Sequence, residues 1–298
     1  MDFQPLTLDK IDELRPFFST NLRRICDSTI GCTFMWRDLH HTSFAIENDA
    51  LFLRAEFTPG AIAFAPPRSL AAAPETLIPQ ILAYCGENNI APRLCAVSGE
   101  FHRKVKLLYP DAKEITDAAW SDYLYNAEDL ATLAGRRYSG QRNHINKFRK
   151  LYPDWRFEVV NETNLAQTRA FFEEYSKLVV KEDYAAYSEG NAKAIEVIDN
   201  FGTYRQFGGI LLVGDAIAGA AFGETVGDTL FIHTEKALTT FEGAYPMLVN
   251  QFAQMYAGEG SGIQYINREE DDGVEGLRTS KLSYHPCTLL EKFTVELS

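Results

Sequence analysis

A stretch in the second half of the chain decides the fold: GILLVGDAIAGAAFGETVGDTLFIHTEKA, residues 209–237. It consists of apolar runs separated by two Gly-Asp pairs; the runs are 209–213, 216–224 and 229–237, and the pairs are Gly214-Asp215 and Gly227-Asp228. Short apolar runs divided by Gly-Asp pairs are typical of antiparallel hairpins. The stretch therefore predicts a three-stranded β-meander.

The residues after the meander continue with alternating helices and strands. A helix is predicted at 244–257, with one face formed by Leu248, Phe252, Met255 and Tyr256. A strand at 263–267, a helix near 273–283 and a last strand at 287–295 follow.

The first half repeats this order without repeating the residues. The predicted elements are strands 42–47, 50–57 and 61–65, helix 74–86, strand 93–97, helix 101–109 and strand 119–125. Three antiparallel strands, helix, strand, helix, strand is the order of the GNAT acyltransferase fold. The sequence predicts an α+β (mixed α/β) protein of two tandem GNAT-like folds, each a mixed, largely antiparallel sheet flanked by helices. We place the domains at 1–118 and 119–298, with the site in the second.

Composition excludes several classes of protein. The 298 residues carry 29 Lys and Arg against 41 Asp and Glu, a net charge of −12, which disfavours DNA as a partner. The sequence shows neither an apolar run of the roughly 18 residues that a membrane helix needs nor a secretory signal at its start. The five cysteines are scattered and lack metal-ligand spacing. We expect small buried thiols in a reduced, cytoplasmic protein, with no metal and no integral membrane association.

A basic segment interrupts the acidic chain. No acid occurs between Asp129 and Asp154, while Arg136, Arg137, Arg142, Lys147, Arg149 and Lys150 contribute +6. On a helix Arg142, Asn143, His144 and Lys147 lie close together and offer donors suited to phosphate or carboxylate. The segment therefore predicts a site for an anionic ligand; a solvated basic helix face is the alternative.

The segment 265–286 places polar residues where a strand ends. Asn267, Arg268 and Glu269 follow the predicted strand, and Arg278, Lys281 and Tyr284 recur at a spacing of three on the next helix. Ligands of open α/β sheets bind beyond the carboxyl ends of strands. The first five of these residues are therefore predicted to bind substrate, and Tyr284 is a candidate proton donor.

The third strand of the meander carries candidate bases. With a period of two, His233 and Glu235 share one face, and Glu224 lies on the preceding strand. For each residue singly, a hydrogen-bonded core position is the alternative. Gly243 and Ala244 open the following helix, where backbone amides are predicted to face a cofactor phosphate.

With these segments the chain resembles a bacterial family named after the C-terminal domain of phosphatidylglycerol lysyltransferase. The matching stretches are SDYLYNAEDLATLAGRRYSGQRNHINKF (121–148), FGGILLVGDAIAGAAFGE (207–224), IHTEKALTTFEGAYPMLVNQF (232–252) and YINREEDDGVEGLRTSKLSYHP (265–286), and CTFMWRD (32–38) also fits. The RNHINKF and NREED-G-EGLR-K-SY-P patterns are the specific ones. The resemblance implies a tandem GNAT-like fold and kinship with aminoacyl-tRNA-dependent transferases. It also implies a cleft lined by Arg142, Asn143, His144, Lys147, Asn267, Arg268, Glu269, Arg278 and Lys281.

The leading hypothesis is an acyl or aminoacyl transferase acting on an amine or hydroxyl, with aminoacyl-tRNA or a CoA ester as anionic donor. Glu235, Glu224 or His233 would accept the proton of the nucleophile, and Tyr284 would return one. One alternative is an acyl-CoA-dependent N-acetyltransferase, although the loop before Ala244 lacks the basic residue and second glycine of acetyl-CoA-dependent relatives. Another is a non-catalytic sensor of CoA or an anionic metabolite, favoured if the candidate bases are buried in apolar packing.

Overall fold

The computed structural model describes residues 1–19, 24–179 and 185–297. The chain forms two compact units, each of mixed α/β structure. The first comprises Met1–Tyr123, Glu269–Arg278 and Leu289–Ser298, and the second comprises Leu124–Arg268 and Thr279–Thr288. This division differs from the single boundary predicted after residue 118, because Glu269–Arg278 and Leu289–Ser298 group with the first unit.

The first unit is built on a mixed sheet. Its strands are β1 (Gln4–Pro5), β2 (Ser43–Glu47), β3 (Ala50–Glu56), β4 (Ile62–Phe64), β5 (Arg68–Ser69), β6 (Arg93–Ser98), β7 (Lys113–Thr116) and β15 (Lys292–Glu296). Its helices are α1 (Ile11–Leu14), α2 (Pro16–Ser19), α3 (Ile30–Met35), α4 (Ile78–Asn88) and α5 (Gly99–Leu108). Ile78, Ile81 and Cys85 of α4 are buried against this sheet, as their helical spacing predicts.

The strand order of the first sheet is β1-β2-β3-β4-β6-β15-β7, with β5 paired to β3. The β4–β6 pair is parallel. Sequence order predicts that strand 119–125 completes this sheet, but the C-terminal strand β15 takes that place between β6 and β7. The edge strand β7 was not predicted, because its four residues are all exposed and show no alternation.

The second unit contains β9 (Trp155–Val159), β10 (Phe207–Val213), β11 (Ala216–Val226), β12 (Thr229–Ala237) and β13 (Tyr265–Asn267). Its helices are α6 (Ala127–Thr132), α7 (Ser139–Leu151), α8 (Leu165–Val179), α9 (Ala185–Asp199), α10 (Phe201–Tyr204) and α11 (Ala244–Ala257). Three elements cross a boundary between the units: β8 (Asp122–Asn126), α12 (Glu275–Leu282) and β14 (Thr288–Leu290).

The second sheet has the order β14-β8-β13-β12-β11-β10-β9, and the predicted meander forms β10 to β12. The strand predicted to complete the first half, β8, pairs here with β13. β12 and β13 are parallel and pair through three residue pairs that end at Phe231 and Asn267. β12 continues to Ala237, so the two strands part beyond this point and open the sheet at their carboxyl ends.

A β-bulge interrupts β12 where it faces β11. Phe222 pairs with Thr234 and Gly223 pairs with Ile232, which leaves His233 as the extra residue. A side chain at Gly223 would place its Cβ 2.2 Å from the Phe231 carbonyl oxygen. The glycine therefore permits the close approach of the two strands at the bulge, and bulges re-aim the side chains they carry.

Helix α11 covers one face of the second sheet. Met247, Leu248 and Phe252 are buried, whereas Met255, predicted on the same face, is 49% exposed. The Tyr256 ring stacks on Phe207 with 4.2 Å between centroids. In the described parts of the chain, no helix has the length and apolar character needed to cross a bilayer.

Candidate active site

A buried arginine lies where β12 and β13 part. Arg268, the residue after β13, donates from Nε and Nη2 to Glu235 Oε2 at 3.1 and 2.6 Å. The Tyr245 hydroxyl, at the start of α11, donates to the same carboxylate oxygen at 2.8 Å. Tyr284 stacks on the guanidinium, with Arg268 Cζ 4.7 Å from its ring centroid. We call Arg268, Glu235, Tyr245 and Tyr284 the arginine centre.

Three polar atoms of the arginine centre have no hydrogen-bond partner among the described residues: Arg268 Nη1, Glu235 Oε1 and the Tyr284 hydroxyl. Arg268 is 3% exposed and Tyr284 is 2% exposed, so bulk water does not solvate them. An unsatisfied buried polar group costs about 1–3 kcal/mol, and more when it is charged. The centre therefore holds a buried donor, a buried acceptor and a buried hydroxyl that are not satisfied by the protein.

The electrostatics of the arginine centre keep its ion pair charged. Burial alone would lower the pKa of the Arg268 guanidinium, but the Glu235 carboxylate outweighs burial and holds that pKa well above its usual value. Burial raises the pKa of the Tyr284 hydroxyl, and burial together with Glu235 raises that of Tyr245. Both tyrosines are therefore neutral near pH 7 and able to donate.

Two predicted binding residues, Lys281 and Asn267, lie beside the backbone of Arg268. The Lys281 ammonium, which is buried, donates to the Arg268 carbonyl oxygen at 2.6 Å. The Tyr125 hydroxyl donates to the Lys281 carbonyl oxygen at 2.8 Å. Asn267 is fully buried as the last residue of β13. Lys281 thus holds the Arg268 backbone from inside the fold, beside the buried Asn267.

The other candidate bases form a pair of their own. His233 Nε2 and Glu224 Oε1 are 2.9 Å apart, and the imidazole side chain is 1% exposed. The bulge at His233 displaces it from the simple alternation that the sequence predicts. All three candidate bases have polar partners, since Glu235 binds Arg268 while Glu224 binds His233.

The basic helix α7 contributes differently from what its sequence predicts. Arg142 donates to the carbonyl oxygens of Leu133 and Gly135, and so satisfies two backbone acceptors in the segment just after α6. Lys147 forms an exposed ion pair with Glu242 at 2.6 Å. These two cations are therefore committed to protein partners rather than converging with Arg268 on one anion.

Other residues of α7 remain on the surface. Asn143 and His144 are exposed, as are Arg136, Arg149 and Lys150. Gln141 links the helix to the segment after α12, because its amide donates to the Ser283 carbonyl oxygen at 2.8 Å. Helix α7 and the second half of the 265–286 segment therefore belong to one local structure.

The start of α11 does not fit the diphosphate of CoA. A Cβ at Gly243 would lie 2.6 Å from the His144 carbonyl oxygen, and Ala244 is 1% exposed. The Ala244 amide already donates to Phe241, and Pro246 has no amide hydrogen to offer. The predicted cofactor residues Gly243 and Ala244 thus provide no open row of backbone amides that could bind the diphosphate of CoA.

Two predicted binding residues lie in the first unit. Arg278 donates from Nε and Nη2 to the two oxygens of the buried Asp271 carboxylate, each at 3.0 Å. The Tyr123 hydroxyl donates to the same carboxylate at 2.6 Å. Glu269 lies near Cys26 and Cys32, and its backbone has a φ of 59°. Arg278 is therefore engaged within the first unit.

Cys26 is a buried thiol, as expected, but it lies in a polar cluster, and Cys287 is exposed rather than buried. The Lys292 ammonium lies 2.7 Å from Asp122 Oδ1, 2.8 Å from Asp27 Oδ2 and 2.9 Å from Glu270 Oε2. It is also 3.2 Å from Cys26 Sγ. We call this group the lysine cluster. Its members come from both ends of the chain, so sequence spacing gave no signal for it.

Sequence reasoning also missed Tyr245 and Gln141. Tyr245 completes the hydrogen bonds of Glu235, and its only local signal is its place beside Gly243 at the start of a helix. A surface pocket of about 390 Å³ was likewise not predicted; it is lined by Asn126, Glu128, Asp129, Ile263, Gln264 and Tyr265. None of the predicted site residues lines this pocket.

Comparisons with known proteins show which protein family the chain resembles. The family described as "Phosphatidylglycerol lysyltransferase, C-terminal" matches residues 19–296. A conserved protein of unknown function from Bacteroides thetaiotaomicron is 30% identical, with a TM-score of 0.91 over 100% of both chains. An uncharacterised Mycoplasmoides gallisepticum protein is 26% identical over 187 residues, which are 62% of this chain but only 58% of that protein.

Similar structures also include a lysyltransferase domain. The C-terminal domain of a putative lysylphosphatidylglycerol synthetase from Agrobacterium fabrum has a TM-score of 0.69 at 10% identity, covering 97% of this chain and 92% of that one. At this identity the likeness concerns the fold alone. The family match spans nearly the whole chain and includes the residues of the arginine centre. The chain therefore belongs to the family of the phosphatidylglycerol lysyltransferase C-terminal domain.

Proposed function

We propose that the protein is an aminoacyl transferase that takes its donor from aminoacyl-tRNA and binds the aminoacyl group at the arginine centre. The observation that carries the proposal is the set of three buried atoms left unsatisfied in one hydrogen-bonded cluster: Arg268 Nη1, Glu235 Oε1 and the Tyr284 hydroxyl. Family membership supports a transferase of this class.

The three atoms suit an aminoacyl ester in particular. Its α-ammonium group requires an acceptor, which Glu235 Oε1 provides, and its carbonyl oxygen requires a donor, which Arg268 Nη1 provides. A simple acetyl group would leave the Glu235 oxygen unsatisfied. The position of the centre also supports the proposal, because ligands of open sheets bind where parallel strands part.

The reaction uses these groups as follows. The nucleophilic nitrogen or oxygen of the acceptor attacks the ester carbonyl carbon, and the new oxyanion is stabilised by the Arg268 guanidinium. The tetrahedral intermediate then expels the ribose oxygen of the tRNA as the new amide or ester forms. The base accepts the proton that the nucleophile loses, and the Tyr284 hydroxyl donates a proton to the leaving ribose oxygen. The base then releases its proton and Tyr284 takes one up through solvent, so both groups return to their starting states.

The pair of His233 and Glu224 suits the role of base better than Glu235 does. Glu235 accepts two hydrogen bonds from Arg268 and one from Tyr245 through Oε2, so that oxygen is already engaged. A carboxylate 2.9 Å from an imidazole nitrogen orients the ring and stabilises its protonated form. The polar contacts of these groups also favour an enzyme over a sensor with apolar packing around them.

The exposed cations of the basic segment are suited to the phosphates of the tRNA. Arg136, Arg149 and Lys150 are exposed on and beside α7, and Arg149 stacks on Trp155 with its Cζ 5.6 Å from the ring centroid. Lysine and arginine side chains that neutralise phosphates supply most of the non-specific affinity for nucleic acid. Arg142 donates to the Leu133 and Gly135 carbonyl oxygens and Lys147 pairs with Glu242, so we assign the role to the three cations above.

A donor-consumption assay tests the proposal. Purified protein is mixed with aminoacyl-tRNA or with acetyl-CoA in the presence of a panel of primary amines, and loss of the ester or thioester is followed. We expect consumption of aminoacyl-tRNA only. Arg268→Lys should slow it by about 10²–10³-fold, as expected when a donor to the oxyanion is lost, while Lys147→Ala keeps the wild-type rate. Consumption of acetyl-CoA in place of aminoacyl-tRNA would overturn the proposal.

A further inference from the structure

We propose that Cys26, Cys32 and Glu269 of the first unit form a binding site for a thiolate-preferring divalent cation of the Zn²⁺ class. Their ligand atoms lie within 4.8 Å of one another. The site is formed by residues of the first unit alone and does not depend on the function proposed for the arginine centre.

The sulfur geometry matches tetrahedral zinc. Cys26 Sγ and Cys32 Sγ are 3.9 Å apart. Two thiolates that each bind Zn²⁺ at about 2.3 Å in a tetrahedral site lie roughly 3.8 Å apart. Local structure fixes this spacing, because the Thr29 side chain caps α3 by accepting from the Cys32 amide. Little movement is therefore needed to bring both sulfurs onto one ion.

The lysine cluster provides the outer shell of the site. Lys292 Nζ is 3.2 Å from Cys26 Sγ, and the Cys26 amide donates to Asp122 Oδ2 at 2.6 Å. An ammonium at this distance orients a thiolate ligand and stabilises its negative charge. The same ammonium also lies within 2.9 Å of the Asp27, Asp122 and Glu270 carboxylates. Lys292 thus links Cys26 to the carboxylates on one side of the site.

The charge of the surroundings favours a cation on the other side. Three carboxylates surround the single ammonium of the lysine cluster, so acidic groups are in excess before Glu269 is counted. Cys26 is 1% exposed, whereas Cys32 and Glu269 are partly exposed and give the ion a path from solvent. Binding would replace the two thiol protons, which are released to water, and leave a fourth position for a water molecule.

Metal titration of the full chain tests the site. Protein treated with EDTA and a thiol reductant is titrated with Co²⁺, whose spectrum reports tetrahedral thiolate ligation, and then with Zn²⁺ in competition with a chromogenic chelator. We expect one equivalent bound, with a thiolate-to-cobalt charge-transfer band. Because Cys32 is partly exposed, Cys32→Ser should fold, and it should weaken Zn²⁺ binding by more than about 100-fold, beyond the usual effect of an outer-shell change.

Cys287→Ser is the matched control, since Cys287 is an exposed thiol of the second unit. It should bind the metal as the wild type does. Glu269→Gln should keep the charge-transfer band and lose affinity. Failure of the wild type to bind one equivalent, or unchanged binding by Cys32→Ser, would overturn the proposal. None of these readouts depends on transferase activity, so the failure of one proposal is distinguishable from that of the other.

Discussion

Removing the Arg268 side chain should lower the free energy of unfolding by several kcal/mol. In Arg268→Met the Glu235 carboxylate stays buried and keeps the hydrogen bond that the Tyr245 hydroxyl donates to it. Breaking a buried ion pair by removing one partner costs about 3–5 kcal/mol. For a unit of 150–250 residues, each kcal/mol shifts the melting temperature by about 2–4 °C, so a decrease of roughly 6–20 °C is expected.

The measurement is thermal and urea unfolding followed by circular dichroism, with two further variants. Arg268→Met combined with Glu235→Leu removes both charges and should recover most of the lost stability, because an apolar pair of similar volume can replace a buried ion pair. Lys147→Met breaks a pair whose two side chains are each 54% exposed, and it should cost less than about 1 kcal/mol. If Arg268→Met is as mild as Lys147→Met, the pair is solvated and the reasoning is refuted.

Three other predictions concern the sheet, a tyrosine and the basic helix. Gly223→Ala should destabilise the protein by about 1–3 kcal/mol in chemical denaturation, because its Cβ would meet the Phe231 carbonyl, whereas Gly140→Ala, with open space, should not. Burial raises the pKa of Tyr256 to about 12, so its neutral form is favoured in the folded state. Unfolding free energy should therefore fall as pH rises from about 10 to about 12, and Tyr256→Phe should flatten that part of the profile; an unchanged slope would contradict the assignment. Finally, alanine at Arg136, Arg149 and Lys150, three of the exposed cations of the basic segment, should make the slope of log affinity for tRNA against log salt shallower by about 0.9 for each phosphate contact removed. Lys147→Ala is the control.

The element order could be predicted from sequence because turns and periodicity are local. The Gly-Asp pairs gave the meander, and helical spacing gave α4 and α11. The exchange of final strands could not be predicted, since the predicted strands 119–125 and 287–295 each follow a predicted helix and either fits either sheet by pattern. Pairing partners depend on contacts between residues far apart in the chain, such as Phe293 with Val97.

The site was predicted in part for the same reason. Arg268 was singled out as a polar residue at the carboxyl end of a strand, and Glu235 as a candidate base that shares a strand face with His233. The structure brings the two side chains together at 2.6 Å. Arg142 and Lys147 looked equally available in sequence, but charge alone does not reveal whether a cation has an internal partner. The Lys292 ammonium was overlooked because its carboxylate partners are up to 265 positions away.

The central claim is that the arginine centre holds the α-ammonium and the carbonyl of one aminoacyl group. Calorimetric titration with a non-hydrolysable 3′-aminoacyl-adenosine and with its N-acetylated form measures this directly. Acetylation removes the ammonium group proposed to donate to Glu235 Oε1, and the lost charged hydrogen bond together with an unsatisfied buried carboxylate oxygen should weaken binding by at least about 100-fold. Equal affinity for the two nucleosides would contradict the account.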